Sequence, residues 1–209
     1  MEGLTIVLTR LDQADGLPDV VAQCTHAAER CARAHEIVLV DEGSSDATVA
    51  AAGELVRHDP RVRLIVHGAD RGHGDCVRTG IAAARLDWVL LMDADARFDV
   101  GELEDALAAA AQADLVVGRW VTQRAPVVRR TGSALWNRVV RPALDLPARD
   151  VDCAFRLGRR ELLQRVALQT GGALGGAELI NRGRAGGDRI EEVRVHHRLR
   201  AAGLRLGHR

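Results

Sequence analysis

The sequence predicts an α/β fold, a mostly parallel sheet with helices on both faces, in a single domain. Short runs of apolar residues alternate with longer segments whose apolar residues recur at helical spacing, and this alternation is typical of β-α-β units. At 209 residues, with 47% hydrophobic residues, the chain is long enough for one well-buried domain and short for two.

Five strands and four helices are predicted to alternate over residues 1–118. The apolar runs predict strands at 4–8, 36–40, 62–66, 88–92 and 115–117. The segments with helical spacing predict helices at 17–34, 46–58, 76–85 and 100–111, and Ser45 or Asp46 can cap the second of them. Such an order builds a parallel sheet with crossover helices.

The alternation lapses beyond Gly118. The remaining segments are predicted as a basic loop at 119–130, a helix at 133–141, a loop entering a strand at 150–157, helices at 159–166 and 177–185, and a last strand at 191–195. Gly171, Gly172, Gly175 and Gly176 are predicted to form a joint between the last two helices.

Two carboxylates, Asp93 and Asp95, follow the run from Trp88 to Met92, which is apolar throughout and predicts a strand buried on both sides. In open α/β sheets ligands bind at the carboxyl ends of the strands, and carboxylate oxygens are suitable ligands for divalent cations. This Asp-x-Asp motif therefore predicts a site for a metal-bound diphosphate. The alternative interpretation is an acidic pair that only caps the next helix.

Two further strand ends carry candidate ligands. At the second, a carboxylate of the turn Asp41-Glu42-Gly43 could accept a hydrogen bond from a nucleobase, and the alternative is a plain helix cap. After the third, Gly72 and Gly74 would let the backbone approach a diphosphate or sugar. The missing third glycine argues against a dinucleotide site. We expect His73 to be a loop residue.

The charge is divided along the chain, although the net charge is zero and all 29 basic residues are arginine. Residues 1–118, the predicted nucleotide- and metal-binding half, hold 10 Arg against 21 Asp and Glu. Residues 119–209 hold 19 Arg against 8 Asp and Glu. The basic half suits a phosphate-bearing acceptor or an anionic membrane surface, and the alternative is a solvated face that neutralises the acidic half. No nucleic-acid partner is expected.

The four cysteines lack the spacing of a metal or redox motif, so we expect reduced, mostly buried thiols and a cytoplasmic protein. The first residues are not those of a signal peptide, and no segment approaches a transmembrane helix. Any contact with the inner face of the membrane is therefore expected to be peripheral.

Taken together, these motifs resemble family 2 glycosyltransferases of the GT-A fold, a Rossmann-like α/β sheet, in particular the polyprenyl-phosphate sugar synthases related to dolichyl-phosphate mannose synthase. The matching segments follow the family's order over nearly the whole chain. They are residues 17–21, 40–48, 71–74, 92–95, 150–156, 178–179, 193–197 and 200–203, and the Asp-x-Asp-Cys-x-Phe-Arg block at 150–156 is the most specific of them.

The resemblance implies inverting transfer of a sugar from a nucleotide-diphosphate sugar to an acceptor, here a polyprenyl phosphate. It implies Mg²⁺ or Mn²⁺ on Asp93 and Asp95, with Asp95 and Asp152 as the catalytic residues. Asp152 would orient the acceptor or donor, since a phosphate acceptor is already ionised near neutral pH. The donor and phosphate contacts would come from Asp41, Glu42, Gly72, Gly74, Arg124, Arg129 and Arg200.

The chain departs from the family pattern at five places, two of which are the spacing from Gly118 to Arg119, usually two residues, and Arg205, which stands where Ser or Thr is common. Residues 9–13 read Thr-Arg-Leu-Asp-Gln where relatives usually have Pro-Ala-Tyr-Asn-Glu, Glu42 stands where a second Asp is usual, and Arg97 stands where many have Gln. Two alternatives therefore stand beside the enzyme: a non-catalytic glycosyltransferase-like protein that binds a nucleotide sugar or a partner, and a nucleotidyltransferase on a similar sheet.

Overall fold

The central feature of the fold, seen in a computed structural model, is a seven-stranded sheet of order β3-β2-β1-β4-β6-β5-β7. The structure describes residues 1–9, 11, 14–44, 46–68, 72–94, 102–121, 150–151, 153–166, 168–170 and 172–196. All pairings are parallel except those of β6, which runs antiparallel to both of its neighbours. The predicted α/β fold with a mostly parallel sheet is therefore confirmed.

The strands and helices alternate along the chain as far as β5. The strands are β1 Gly3–Thr9, β2 Ala34–Asp41, β3 Val62–Val66, β4 Trp88–Asp93, β5 Leu115–Val121, β6 Arg156–Arg159 and β7 Ile190–His196. The helices are α1 Leu17–Cys31, α2 Asp46–His58, α3 His73–Ala83, α4 Leu103–Ala110, α5 Arg160–Val166 and α6 Gly172–Ala185.

Two apolar layers cover the two faces of the sheet, because successive side chains of a strand point to opposite sides. In β4, Leu90 and Met92 join the layer under α1 and α4, whereas Val89 and Leu91 join the layer under α3, α5 and α6. Both layers are built mainly from aliphatic side chains, and the buried aromatic residues Trp88 and Phe155 belong to the layer under α1 and α4. The sheet is thus buried on both faces, as the continuous apolar runs predicted.

Several predicted boundaries were wrong by a few residues. The first helix ends at Cys31 because Ala34 already pairs in β2, and the third begins at His73 rather than at residue 76. The fourth helix begins at Leu103. The fifth strand extends to Val121 because it pairs with β7 along its whole length, so the predicted basic loop begins later. Residues 133–141 lie outside the described part of the chain.

The predicted glycine-rich joint was also wrong, because α6 begins at Gly172 and includes Gly175 and Gly176. Gly176 is needed inside this helix, since a Cβ atom there would overlap the Val151 carbonyl and the Arg156 guanidinium. Close packing therefore overrides the low helix propensity of glycine.

Asp114 joins the last three strands at the amino edge of the sheet. Its carboxylate accepts hydrogen bonds from Arg159 Nε at 3.1 Å and from Arg189 Nε and backbone N at 3.2 and 3.1 Å. The hydrogen bonds from the Arg189 side chain and backbone, and then that from Arg159, lower the pKa of Asp114 to about 2.

We expect Gly80→Ala to destabilise the protein by about 1–3 kcal/mol, because the new methyl group would overlap the Val7 side chain between α3 and β1. Urea denaturation measures the loss. Gly53→Ala is the matched control inside α2, where nothing lies within 4 Å of the added Cβ, and it should stabilise by up to about 1 kcal/mol. Equal free energies of unfolding for the two variants would contradict this packing.

The hydrogen bonds of Asp114 with Arg159 and Arg189 should stabilise the fold in a pH-dependent way. Because the folded-state pKa lies below the unfolded value, the stabilisation is complete above about pH 5 and is lost as the pH falls towards 2. Asp114→Asn should lower the free energy of unfolding by about 1 kcal/mol at pH 7. Urea titrations of both proteins between pH 7 and pH 2.5 should show this difference shrinking, and a difference independent of pH would contradict it.

Candidate functional site

The strand ends that were predicted to carry ligand-binding residues lie together at the carboxyl edge of the sheet. Parallel strands β1, β2 and β4 end there at Thr9, Asp41 and Asp93. Strands β5 and β7 end at the same edge, and antiparallel β6 begins there at Arg156. Adjacent strands lie about 4.8 Å apart, so the ends of β2 and β4, on either side of β1, are roughly 10 Å apart.

Asp93 is the last residue of β4, and its side chain is 13% exposed. Its Oδ1 accepts a hydrogen bond from Thr9 Oγ1 at 3.3 Å and lies 3.9 Å from His73 Nε2. The expectation that His73 is a loop residue was wrong, because it is the first residue of α3. A carboxylate, a hydroxyl and an imidazole therefore meet at the centre of this edge.

Asp41 forms the turn after β2. Its side chain is fully buried, and the carboxylate accepts hydrogen bonds from the backbone N–H groups of Gly43 at 3.0 Å and Ser44 at 3.1 Å. Gly43 has φ 98°, a left-handed conformation that glycine adopts at little cost. The neighbouring Glu42 is half-buried. Asp41 thus holds the turn together, and Glu42 is the more exposed of the two predicted base ligands.

Gly72 and Gly74 lie where the chain enters α3. Gly72 has φ 81° and immediately precedes the helix, and Gly74 is its second residue. Backbone N–H groups in the first turn of an α-helix lack helical acceptors and favour anions. Because Nε2 of His73, which lies between them in the sequence, is 3.9 Å from Asp93 Oδ1, this helix start is close to Asp93 at the edge of the sheet.

The block that leads into β6 is packed firmly against the sheet. Val151, Cys153 and Phe155 are buried, and buried Arg156 donates to the Val151 carbonyl at 3.2 Å. Asp150 Oδ2 accepts from the backbone N–H of Trp120 at 3.3 Å, which ties the block to β5. Both neighbours of Asp152 are thereby fixed at the carboxyl edge.

The remaining predicted ligands stay predictions. Asp95, Asp152, Arg124, Arg129 and Arg200 lie outside the described residues, as does Arg97. Among the residues that the structure does describe, no three His, Cys, Asp or Glu side chains are grouped so that they could hold a metal ion by themselves. Asp93 carries carboxylate oxygens of the kind that Mg²⁺ and Mn²⁺ prefer.

Glu178, which belongs to one of the matching segments, holds the loop before α6. It accepts hydrogen bonds from the backbone N–H groups of Gln169 and Thr170 and from Thr170 Oγ1, at 2.7 to 3.1 Å. Burial opposes its ionisation, but these hydrogen bonds outweigh burial and lower the pKa of Glu178. The contacts of Glu178 with Gln169 and Thr170 therefore hold the loop before α6 in place.

Two contacts were not predicted: that of Thr9 with Asp93 and that of Glu102 with His196. Glu102 Oε1 accepts from the backbone N–H of His196 at 2.7 Å and lies 2.6 Å from its Nδ1. This contact joins the start of α4 to the end of β7, from which the basic tail continues. No local pattern marks these pairs, since their partners are 84 and 94 residues apart.

The four cysteines are free thiols, three of them buried, as expected. Burial raises the pKa of Cys24 to about 12, which keeps this thiol protonated. Among the described helices, none combines the length and apolar composition needed to cross a bilayer.

Solved structures with the same architecture include glucosyl-3-phosphoglycerate synthase from Mycobacterium tuberculosis, at TM-score 0.71 and 19% identity over 95% of this chain and 73% of that one. The same enzyme in complex with Mn²⁺, uridine diphosphate and phosphoglyceric acid gives TM-score 0.69 at 19% identity, over 95% of this chain and 72% of that one. These similarities show a shared GT-A fold.

Curated relatives include an uncharacterised glycosyltransferase of Mycobacterium bovis, 31% identical over 97% of this chain and 88% of its own length. Another is the undecaprenyl-phosphate 4-deoxy-4-formamido-L-arabinose transferase of Aeromonas hydrophila, 27% identical over 77% of this chain and 50% of that protein. The family model described as "Glycosyl transferase family 2" matches residues 9–167. Since that match covers most of the sheet and the candidate site, the chain belongs to glycosyl transferase family 2.

Proposed function

We propose that the protein is a metal-dependent, inverting glycosyltransferase that moves a sugar from a nucleotide-diphosphate sugar to a phosphate-bearing acceptor, a polyprenyl phosphate. The observation that carries this proposal is the position of Asp93, at the end of a buried central strand and beside the start of α3. Family membership and the name of the undecaprenyl-phosphate transferase relative support the same reaction class.

Asp93 and Asp95 are the residues that would hold the cation. A carboxylate at the edge of the sheet, partly exposed and ringed by polar groups, suits a hard divalent ion. When bound, Mg²⁺ or Mn²⁺ would stabilise the negative charge that develops on the leaving nucleoside diphosphate. A Mn²⁺ and uridine diphosphate complex of a structural neighbour is consistent with this assignment.

The nucleotide-sugar would lie across the ends of β2, β1 and β4. Glu42 offers a carboxylate to the imide or amino N–H of the base, while Asp41 fixes the turn that carries Glu42. The N–H groups at Gly72 and Gly74 face the diphosphate, where the start of α3 favours negative charge. The separation of roughly 10 Å between the ends of β2 and β4 suits a ligand with a base at one end and a diphosphate at the other.

The acceptor would approach from the basic half, residues 119–209. Arg124, Arg129 and Arg200 are candidates for its phosphate, because a guanidinium group can donate to two phosphate oxygens at once. Asp152 orients the acceptor or donor and needs to remove no proton, since the attacking phosphate oxygen is already ionised. A lipid phosphate would require peripheral contact with the membrane.

A non-catalytic protein that binds a nucleotide sugar is the second candidate. It is favoured by the burial of Asp41 in its own turn and by the departures at residues 9–13 and at Glu42. This candidate predicts donor binding without turnover.

The first experiment is a thermal-shift screen with UDP-, GDP- and dTDP-sugars, each with and without Mn²⁺. A ligand that binds only the folded state at a hundredfold excess over its Kd stabilises that state by about 2.7 kcal/mol. A shift that needs both one nucleotide and the metal, followed by release of nucleoside diphosphate when a short polyprenyl phosphate is added, supports the enzyme. Binding without turnover supports the second candidate, and release of diphosphate would indicate a nucleotidyltransferase.

Asp93→Asn should abolish Mn²⁺-dependent donor binding and lower turnover by at least about a hundredfold, because a neutral amide is a poor cation ligand. Calorimetric titration with the donor identified in the screen measures binding. Asp87→Asn is the matched control, since Asp87 is exposed just before the amino end of the same strand. Unchanged Mn²⁺-dependent binding by Asp93→Asn would refute the metal assignment.

Replacing the carboxylates of Asp41 and Glu42, at the end of β2, with amides should have different effects on stability and on nucleotide binding. Asp41→Asn places an NH₂ group or a weaker acceptor against the backbone N–H groups of Gly43 and Ser44 at a buried side chain, so the free energy of unfolding should fall by about 1–3 kcal/mol. Glu42→Gln should weaken nucleotide binding and lower the free energy of unfolding by less than Asp41→Asn does, because Glu42 is half-buried whereas Asp41 is fully buried. Urea denaturation and calorimetry distinguish these effects. A stable Asp41→Asn variant that no longer binds nucleotide would reverse the two roles.

A further inference from the structure

Thr9 and Asp93 are opposite residues of the central pair of parallel strands. They are register partners in the pairing of β1 with β4, and each is the last residue of its strand. The Thr9 carbonyl accepts a hydrogen bond from the N–H of Ala94 at 2.8 Å, so the backbone is tied on the far side of Asp93 as well. The two residues are therefore held together by the sheet, independently of their side chains.

The side chains form a second link. Thr9 is 3% exposed, and its Oγ1 donates to Asp93 Oδ1 at 3.3 Å. A threonine has few χ1 rotamers, so burial at the end of a strand fixes where its hydroxyl points. A carboxylate carries two oxygens that can each accept more than one interaction, so a hydrogen bond from Thr9 is compatible with a role of Asp93 as a ligand.

We propose that Thr9 is a positioning residue that orients the Asp93 carboxylate for the divalent cation. This inference rests on the proposed function, because it assumes that Asp93 binds the metal. The hydroxyl restrains rotation of the carboxylate, so less side-chain freedom is lost when a cation binds. Hydrogen bonds to metal-ligating carboxylates act in this way, and losing one typically weakens metal binding by about 10- to 100-fold.

His73 cannot replace Thr9 in this role. Its Nε2 lies 3.9 Å from the same oxygen, beyond hydrogen-bond distance, and it belongs to α3 rather than to a strand paired with β4. Thr9 is thus linked to Asp93 through both the backbone of the sheet and a side-chain hydrogen bond.

The test compares Thr9→Val, which keeps the shape and removes the donor, with Thr9→Ser, which keeps the donor. Electron paramagnetic resonance of free Mn²⁺ measures metal affinity directly, with the nucleoside diphosphate of the donor identified in the screen present at saturation and no acceptor, so that the measurement does not depend on turnover. We expect Thr9→Ser to bind Mn²⁺ as the parent protein does, and Thr9→Val to bind it about tenfold more weakly, because the 3.3 Å bond is a long one. Turnover of Thr9→Val at saturating Mn²⁺ should recover to within about twofold.

Thermal unfolding of the variants without metal distinguishes a positioning role of Thr9 from a purely structural one. If the role were purely structural, Thr9→Val would lower the unfolding temperature and leave the Mn²⁺ affinity of the folded protein unchanged. If Thr9→Val does not fold, Thr9→Ala provides a second variant without the hydroxyl. Equal Mn²⁺ affinity in the parent and the folded hydroxyl-free variant overturns the inference and leaves the proposed function intact. Absence of Mn²⁺ binding by the parent protein overturns both.

Discussion

The parallel pairing of β1 with β4 is the contact on which the candidate site depends. Its register places Thr9 opposite Asp93, and the pairing of β1 with β2 on the other side places the Asp41 turn one strand further along. Three chain segments that are far apart in the sequence therefore leave the sheet at one edge. The buried aliphatic residues of these strands stabilise the register, because a slip by one residue would turn their side chains to the opposite face.

The antiparallel strand β6 completes this edge. Because β6 runs against its neighbours, its amino end and the block that precedes it lie at the carboxyl ends of β4 and β5. The block is held by backbone and side-chain contacts of Asp150 and Arg156, and α6 packs against it through Gly176. The reversal of one short strand thus brings Asp150, Val151 and Arg156 to the carboxyl edge of the sheet.

Many arginines of the basic half have structural roles. Arg159 and Arg189 bind Asp114, Arg165 pairs with Asp188, and Arg182 donates to the Val166 carbonyl and pairs with Glu178. Part of the excess positive charge after Gly118 is therefore neutralised within the fold. The arginines proposed to contact phosphate, Arg124, Arg129 and Arg200, belong to other segments. The net positive charge of residues 119–209 is therefore weaker evidence for a phosphate-bearing acceptor than the place of each arginine in the sequence.

The sequence by itself determined the fold class, the order of the strands along the chain and Asp93 as a candidate ligand, because apolar periodicity and strand ends are local properties. It could not determine that β6 lies between β4 and β5, that α6 begins at Gly172 and includes Gly175 and Gly176, or that Asp41 is buried in its own turn. Only the tertiary structure decided these features and the contacts of Asp93 with Thr9 and His73. The physical reason is that register and close packing depend on residues distant in sequence, whose contacts leave no local pattern.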